Sequence, residues 1–176
     1  GMALLSVLTA LDLELCAPER AMELISRCLD TLERLEKWKG HLYNWYDTQT
    51  LEPLRPRYVS TVDSGNLCAC LTALHTGLVE YARPDLAARV AALTGPMDFS
   101  PLYDARRRLF YIGIDAEKNE YSESWYDLLS SEARLAGYVA IARGDVPRRH
   151  WRRLSRAQVQ KNSYRGMASW TGTRFE

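Results

Sequence analysis

The chain has 176 residues, of which 47% are hydrophobic and 26% are charged, and its formal net charge at pH 7 is +1. This composition is that of an ordinary globular protein, so it excludes a disordered chain, and the length fits one domain. A nearly balanced charge argues against a dedicated nucleic-acid-binding protein, which usually carries a marked basic excess. No apolar run approaches the ~18 residues that span a bilayer. We therefore expect no nucleic-acid partner and no insertion into a membrane.

The four cysteines have no spacing that indicates a metal site. Zinc sites use paired ligands, as in Cys-x-x-Cys, and more histidines than the three of this chain. We expect buried free thiols, with Cys28 on the apolar face of a helix and Cys68 and Cys70 inside another, and hence a reducing, cytoplasmic compartment. No glycine-rich phosphate loop is present either. The sequence thus predicts no metal and no cofactor.

The first part of the chain is predicted to hold two helices and a long loop. The first helix covers residues 3–15. The second has apolar residues at helical spacing over 19–37, and we expect Trp38 and Gly40 to close it. An aromatic loop, kept out of helical conformation by two prolines, follows from about 41 to 64.

Two further helices are predicted in the middle of the chain. The third starts after Asp63 and Ser64, either of which can cap it, and reaches about Tyr81. The fourth is short and alanine-rich, and it runs from Pro84 to about Leu93.

The last part of the chain changes in character. Residues 109–114, followed by a polar turn, predict a strand and one small hairpin. A helix over 127–143 is expected next, capped by Ser122 or Ser124 and ended by Gly144. The tail beyond it has no clear period.

The segment from Tyr43 to Leu67 contains the side chains that sugar binding requires. It combines aromatic rings, aspartates, amides and hydroxyls without a regular period, whereas a connecting loop is usually short and made of small polar residues. The apolar face of a sugar stacks on an aromatic ring, and its hydroxyls need donors and acceptors. The candidate substrate-binding residues of this segment are Asn44, Trp45, Tyr46, Asp47, Asp63, Ser64 and Asn66.

Four aromatic residues, Trp45, Tyr46, Trp125 and Trp170, are candidate stacking platforms for a sugar. They lie in polar segments that contain glycine and serine. The alternative for each is an ordinary core residue, which is the commoner role of an aromatic side chain.

Glycosyl chemistry requires carboxyl groups, one of which protonates the leaving oxygen. Glu132 is the strongest candidate, because its neighbours include Leu128 and Leu135 and we expect it to be buried at the border of this apolar stripe. The alternative is an ion pair between Glu132 and a nearby arginine at the helix edge. Asp127, in the first turn of the predicted helix, and Asp63 could instead be simple helix caps.

Two arginine-rich segments, Arg106–Arg108 and Arg148–Arg156, resemble a nucleic-acid-binding patch at first sight. Both are short, and the net charge of the chain does not support that interpretation. We favour a solvated helix face or a protein interface for each.

Seven strings of the sequence together form a familiar pattern. They are Gly40–Thr48, Leu51–Leu54, Pro56–Leu67, Tyr126–Leu135, Ala142–Pro147, His150–Trp151 and Ser169–Thr173. In this order, and over nearly the whole chain, they resemble the glycoamylase-like central domain of bacterial cyclic β-1,2-glucan synthases, which are large membrane enzymes.

The resemblance implies a mainly α fold, an (α/α)6 toroid with a glucan cleft on one face. A chain of this length would hold about half of the helices, with long loops and one small β-hairpin, as a single partial domain covering residues 1–176. The resemblance also implies hydrolysis or transglycosylation of β-1,2-glucan. By position in the motifs, Glu132 is then the catalytic carboxylate, and Tyr126, Asp127 and Trp170 join the substrate-binding residues.

The sequence departs from this pattern at several positions. Trp125 stands where we expect a tyrosine, Cys68-Ala69-Cys70 where we expect a small, glycine-containing pair, and Arg174 where we expect a hydrophobic residue. The chain stops at Glu176, within a familiar motif. We therefore expect a fragment that is not catalytically complete, whose open apolar faces are covered by a second copy or by the remainder of the parent chain. The alternatives are a non-catalytic glucan-binding module and a helical assembly module.

Overall fold

The computed structural model describes residues 1–169 of the chain. The chain divides into two compact units: unit 1 comprises Gly1–Arg57 and Asn66–Asp98, and unit 2 comprises Tyr58–Gly65 and the residues from Phe99 onward. Each unit is described by itself. Within residues 1–169, none of the helices has the length and the apolar character needed to cross a membrane.

Six α-helices and ten short strands occur among the described residues. The helices are α1 (Met2–Asp12), α2 (Pro18–Arg34), α3 (Thr61–Glu80), α4 (Pro84–Thr94), α5 (Arg134–Arg143) and α6 (Arg149–Arg153). The strands are β1 (Lys37–Trp38), β2 (His41–Leu42), β3 (Tyr58–Ser60), β4 (Tyr103–Asp104), β5 (Leu109–Tyr111), β6 (Gly113–Asp115), β7 (Glu120–Tyr121), β8 (Trp125–Tyr126), β9 (Gln158–Lys161) and β10 (Tyr164–Met167).

The strands form four small antiparallel sheets. Two are hairpins, β1–β2 and β9–β10, and two have three strands, in the orders β3–β6–β7 and β4–β5–β8. The predicted fold class, mainly α with a partial (α/α)6 toroid and one small hairpin, is therefore wrong, because the protein is a mixed α/β structure. The strands are two to four residues long, which is too short for the alternation of apolar and polar residues that identifies a strand in sequence.

The core of unit 1 is formed by α1, α2, α4 and the part of α3 that belongs to this unit. Apolar residues recur three or four positions apart on each helix, so they face inward together. The cluster includes Leu4, Leu8, Leu11, Ile25, Leu29, Leu71, Leu74, Leu78, Leu86 and Val90. Arg89 on α4 links to α2 through bonds to both carboxylate oxygens of Glu33, at 2.7 and 2.8 Å.

A tight hairpin, rather than a longer helix, follows α2. The helix ends at Arg34, and strands β1 and β2 are joined by Lys39 and Gly40, whose φ angles are +49° and +83°. Two consecutive residues with positive φ are typical of a type I′ turn. A side chain at Gly40 would overlap the backbone of Pro96 and Met97, which requires glycine there. The prediction that Trp38 and Gly40 close the helix is wrong.

Unit 2 contains both three-stranded sheets together with α5, α6 and the first turn of α3. The predicted strand at 109–114 is interrupted at Ile112, so that β5 and β6 belong to different sheets. The buried residues of this unit include Phe99, Leu102, Phe110, Ile114, Ala136, Ala140 and Leu154. The positions at which α3 and α5 begin determine where the side chains of the candidate site lie.

Helix α3 begins at Thr61, earlier than predicted, because Ser60 caps it by accepting a hydrogen bond from the Asp63 N–H at 3.2 Å. Helix α5 begins only at Arg134, later than predicted, because the backbone before it bonds elsewhere: Trp125 and Tyr126 pair with β5 as a strand, and Asp127 and Leu129 exchange backbone hydrogen bonds with Ser155 at 2.7 and 2.9 Å. The end of α5 is as predicted: Gly144 has φ = +86° and accommodates the left-handed conformation that stops the helix.

Candidate functional site

The sheet β4–β5–β8 carries different side chains on its two faces. Directly opposed residues of an antiparallel pair share a face, and successive residues alternate. Tyr103 pairs with Phe110, and Phe110 pairs with Tyr126, so these three lie on one face. The same register places Asp104, Leu109, Tyr111 and Trp125 on the other. Trp125 and Tyr126, adjacent in sequence, therefore point in opposite directions.

On the first face, Tyr126 is near two carboxylates and a second tyrosine. Burial raises the pKa of the Tyr126 phenol well above its ordinary value, and the charges of Glu132, Tyr58 and Asp63 raise it further. Burial also raises the pKa of Tyr58, with Asp63 as the second cause. Both phenols therefore stay protonated at neutral pH and can donate hydrogen bonds. We call Tyr58, Asp63, Tyr126 and Glu132 the carboxylate–tyrosine cluster.

Two glycines allow the backbones that carry this cluster to approach each other. A side chain at Gly65 on α3 would overlap the Cα and Cβ atoms of Ala136 on α5, so the first turns of α3 pack directly on α5. Asp63 lies in that part of α3, and Glu132 immediately precedes α5. Similarly, a side chain at Gly113 would meet the Tyr58 ring. Glycine at these two positions is what permits the arrangement.

On the second face, the Trp125 ring is held by three contacts. Its Nε1 donates a hydrogen bond to Asp104 Oδ2 at 3.1 Å, and the guanidinium carbon of Arg107 lies 3.9 Å from the ring centre. The Tyr111 ring, on the neighbouring strand, lies 5.7 Å away between centroids, and Tyr121 lies 4.6 Å from Tyr111. The orientation of the indole is therefore fixed.

Asp104 organises this face beyond its bond to Trp125. Its Oδ1 accepts hydrogen bonds from the backbone N–H groups of Arg106 and Arg107 at 2.9 and 3.0 Å. These bonds, first that of Arg107, hold the pKa of the Asp104 carboxyl below its ordinary value. The carboxylate thus stays ionised beside the Arg107 guanidinium, from which it is 3.8 Å distant.

An open cleft of about 380 Å³ lies beside Trp125. We call it the Trp125 cleft. Its lining combines cationic, anionic and hydroxyl side chains with one aromatic ring. The residues are Arg107, Leu109, Glu123, Ser124, Trp125, Asp127, Arg153 and Ser155.

The aromatic loop of unit 1 is held largely by its own contacts. The Tyr46 hydroxyl accepts from the Tyr43 N–H at 2.8 Å and donates to the Glu36 carbonyl at 2.7 Å, and burial raises the pKa of Tyr46 to about 12. Asp47 Oδ1 accepts from two backbone N–H groups, which lower its pKa, that of Thr50 first. Trp45 is 48% exposed, and Asn44 is half-buried. Trp45 thus offers the most accessible ring of this loop.

The predicted site residues fall into two sets. Asn44, Trp45, Tyr46, Asp47 and Asn66 belong to unit 1, whereas Asp63, Ser64, Tyr126, Asp127 and Glu132 belong to unit 2. Trp170 lies outside the described residues. The structure brings Asp63, Tyr126 and Glu132 together.

The expected surroundings of three of these residues differ from the structure. Glu132 is exposed and precedes α5, so its predicted burial along a helix is wrong. Asp127 follows strand β8 instead of starting a helix, and its carbonyl accepts from the Ser155 N–H at 2.7 Å. Ser64 is only 3% exposed, and its hydroxyl has no hydrogen-bond partner in the part of the chain that the structure describes.

Sequence reasoning missed Tyr58, Asp104 and Arg107 as members of these sites. One signal was present: an aspartate often accepts hydrogen bonds from the backbone N–H groups that follow it in a turn, as Asp104 does from those of Arg106 and Arg107. The pairing of Asp104 with Trp125 depends on the strand register, which two-residue strands do not reveal in sequence.

The cysteines follow the prediction in part. All four are free; Cys68 and Cys70 are buried, but Cys28 is exposed, so its predicted place on the apolar face is wrong. No group of three or more His, Cys, Asp or Glu side chains among residues 1–169 is positioned to hold a metal ion.

Comparison with known proteins gives one informative similarity. No family model matches the chain. The chain is 26% identical over 303 aligned residues to the cyclic beta-(1,2)-glucan synthase NdvB of Rhizobium meliloti, and the alignment covers the whole chain but 11% of that protein. The alignment is longer than the 176-residue chain, so it includes residues of the relative that have no counterpart in this chain. The similarity supports a relation to cyclic β-(1,2)-glucan synthases.

Proposed function

We propose that this chain is part of a domain that binds β-1,2-glucan and that, in its parent protein, hydrolyses or transglycosylates it. The 26% identity to a cyclic beta-(1,2)-glucan synthase supports the choice of a glucan. The motif strings that resemble the glycoamylase-like central domain of such enzymes support the choice of reaction. The observation that carries the proposal is in unit 2: α3 packs directly on α5 at Gly65 and Ala136, and Asp63 and Glu132 lie close enough to Tyr126 for their charges to raise the pKa of its phenol.

Glu132 is the proposed catalytic carboxylate. Its carboxyl group gives a proton to the glycosidic oxygen as the C1–O bond breaks, and the new C1–O bond forms to the oxygen of the incoming group, whose proton passes to a carboxylate of the pair that this chemistry requires. When the incoming group is water, the result is hydrolysis; when it is a glucan hydroxyl, the result is transglycosylation. Since Glu132 is exposed, its carboxylate is free to meet a substrate, which then shields it from water.

The other members of the cluster are proposed to hold the sugar. The carboxylate of Asp63 accepts hydrogen bonds from sugar hydroxyls, and the phenols of Tyr126 and Tyr58 donate them, because their raised pKa values keep both protonated. Hydrogen-bond donors and acceptors in one part of unit 2 suit a polyhydroxyl ligand better than an apolar one. In unit 1, taken by itself, the exposed ring of Trp45 is proposed as a separate glucan contact, by the stacking that its flat apolar face permits.

A second function, glucan binding without turnover, is favoured by the exposure of Glu132. Catalytic acids usually lie in apolar surroundings that keep the carboxyl protonated, and Glu132 has no such burial.

One assay separates these two functions. The assay incubates linear β-1,2-glucan with the wild-type chain and with three variants, Glu132→Gln, Asp63→Asn and Glu120→Gln, and measures both products and binding. Glu120→Gln is the control, because Glu120 is an exposed carboxylate on β7. Catalysis by Glu132 predicts turnover that E132Q lowers by roughly 100-fold or more, that D63N weakens mainly through KM, and that E120Q leaves unchanged. Turnover retained by E132Q contradicts the catalytic role. Saturable binding by the wild-type chain without any turnover favours the second function, and the absence of both overturns both.

A further inference from the structure

We propose that the Trp125 cleft is a separate binding subsite for a neutral sugar. It opens on the face of the β4–β5–β8 sheet that carries Trp125, whereas Tyr126 and the carboxylate–tyrosine cluster lie on the opposite side of β8. The identification of that sugar as a glucosyl unit rests on the proposed function. The existence of the subsite rests on the cleft itself.

The aromatic surface of the cleft is fixed before any ligand arrives. The hydrogen bond from Trp125 Nε1 to Asp104, the Arg107 guanidinium over the ring and the neighbouring Tyr111 ring each limit a different motion of the indole. A ring that is already ordered loses little conformational entropy when a ligand packs on it. Its N–H is already committed to Asp104, so what the indole offers a ligand is the part of its apolar ring that Arg107 and Tyr111 leave uncovered.

The polar lining is balanced in charge. Arg107 and Arg153 contribute two cations, and Glu123 and Asp127 contribute two anions. Arg153 is anchored beside Arg107, because its Nε donates to the Arg107 carbonyl at 3.3 Å. A phosphate or carboxylate ligand would be attracted by the arginines but repelled by the two acids. A neutral ligand with many hydroxyls can use both, donating to the carboxylates and accepting from the guanidinium groups.

The two serines strengthen this assignment. Ser124 and Ser155 line the same cleft, and a hydroxyl can donate or accept as the ligand requires. An apolar ring flanked by donors and acceptors corresponds to the two kinds of surface that a pyranose presents. The cleft volume of about 380 Å³ lies at the small end of the range for ligand pockets, roughly 300–1,000 Å³. The subsite is therefore suited to one or two sugar rings rather than to a long glucan segment.

The test follows the indole N–H signals of the whole chain by heteronuclear NMR. The chain has five tryptophans, and Trp125→Phe identifies the Trp125 signal by its loss. Titration with β-1,2-glucobiose should shift that signal saturably, while inorganic phosphate in a parallel titration should not. A shift with phosphate and none with the disaccharide overturns the neutral-sugar assignment, and no shift with either overturns the subsite.

Calorimetric titration of variants gives an independent result. Trp125→Leu should weaken disaccharide binding roughly fivefold to tenfold, and Asp127→Asn, which keeps the side-chain shape, should weaken it as well. Tyr164→Leu removes an aromatic ring that is 80% exposed on β10 and does not line the cleft; it is the matched control, with unchanged affinity for this disaccharide. Equal affinity of D127N, W125L and wild type contradicts the proposal.

The titration in Glu132→Gln separates the two proposals. The Trp125 shift should persist in this variant, because Glu132 does not line the cleft. Loss of glucan turnover together with a persistent shift keeps the subsite, and a persistent shift in a wild-type chain that never turns glucan over keeps the subsite and favours glucan binding without turnover by this chain.

Discussion

Trp125 Nε1 donates a hydrogen bond to Asp104 Oδ2 across 21 positions of sequence, at 3.1 Å. Asp104 is on β4 and Trp125 is on β8, and both strands pair with β5. The bond therefore ties the two outer strands of the sheet to each other. Because Asp104 also caps the turn that carries Arg107, one carboxylate positions both the ring and the cation beside the cleft.

Replacing Asp104 by alanine should destabilise unit 2 and release Trp125. The variant leaves the indole N–H and two backbone N–H groups without their acceptor, at a cost of about 1–3 kcal/mol. Urea unfolding gives the free energy, and the tryptophan emission maximum should move to the red as the indole meets water.

Asp115→Ala is the matched control for this prediction. Asp115 also caps a turn, by accepting from the N–H groups of Glu117 and Lys118 at 3.1 and 3.3 Å, but within residues 1–169 it accepts no hydrogen bond from a tryptophan. Its loss should cost less and leave the emission unchanged. Equal effects of the two substitutions would show that the indole bond contributes nothing.

Gly65→Ala should destabilise the protein, although alanine is the better helix former. A methyl group at Gly65 would overlap Ala136 on α5, and overpacking of this kind costs about 1–3 kcal/mol. In a helix without that contact the same change stabilises by roughly 0.5–1 kcal/mol. The sign of the change in unfolding free energy therefore tests the close approach of α3 and α5 in unit 2. Gly166→Ala, where a methyl group meets no atom within 4 Å, is the control and should stay within about 0.5 kcal/mol of wild type.

His150 should make stability depend on pH. Burial lowers its pKa below the ordinary 6.5, partly offset by the hydrogen bond from its Nδ1 to the Arg108 carbonyl. The unfolded chain therefore takes up a proton near pH 6.5, while the folded chain does so only at lower pH. The free energy of unfolding is thus fully retained above pH 6.5 and falls as pH drops from there toward the lowered pKa, by at most about 1.4 kcal/mol per pH unit.

Comparing pH slopes isolates this contribution from the carboxylates. His150→Gln should flatten the decline of unfolding free energy between pH 6.5 and about 5.5 relative to wild type, whatever its own stability. An unchanged slope would mean that His150 is protonated as easily in the folded chain as in the unfolded one.

The sequence predicted those helices whose signals are local. Helix α4 and the end of α5 at Gly144 were confirmed, since a proline at a helix start and a glycine just past its end act within one turn. The start of α5 could not be predicted, because the local sequence from Asp127 onward is compatible with a helix. It does not reveal that Trp125 and Tyr126 pair with β5. That pairing depends on residues 14 and 16 positions away.

The residue types of the candidate site could be chosen from the sequence, but their arrangement could not. Asp63, Tyr126 and Glu132 were chosen from sequence, and the structure groups them. Tyr58 joins them only because Gly113 leaves room for its ring. Trp125 and Tyr126 lie on opposite faces of the sheet because successive side chains of a strand alternate. The sequence could not predict this, since it did not identify these two residues as a strand.

The most direct test of the central claim is binding of β-1,2-gluco-oligosaccharides to the whole chain, compared with β-1,4-linked glucose oligomers of equal length. Intrinsic tryptophan fluorescence and calorimetry both report it. We predict saturable binding of the β-1,2-linked oligomers, with affinity at least about tenfold above that of the β-1,4-linked ones, or about 1.4 kcal/mol. Equal affinity for the two linkages, or no binding of either, would contradict the claim that this chain recognises β-1,2-glucan.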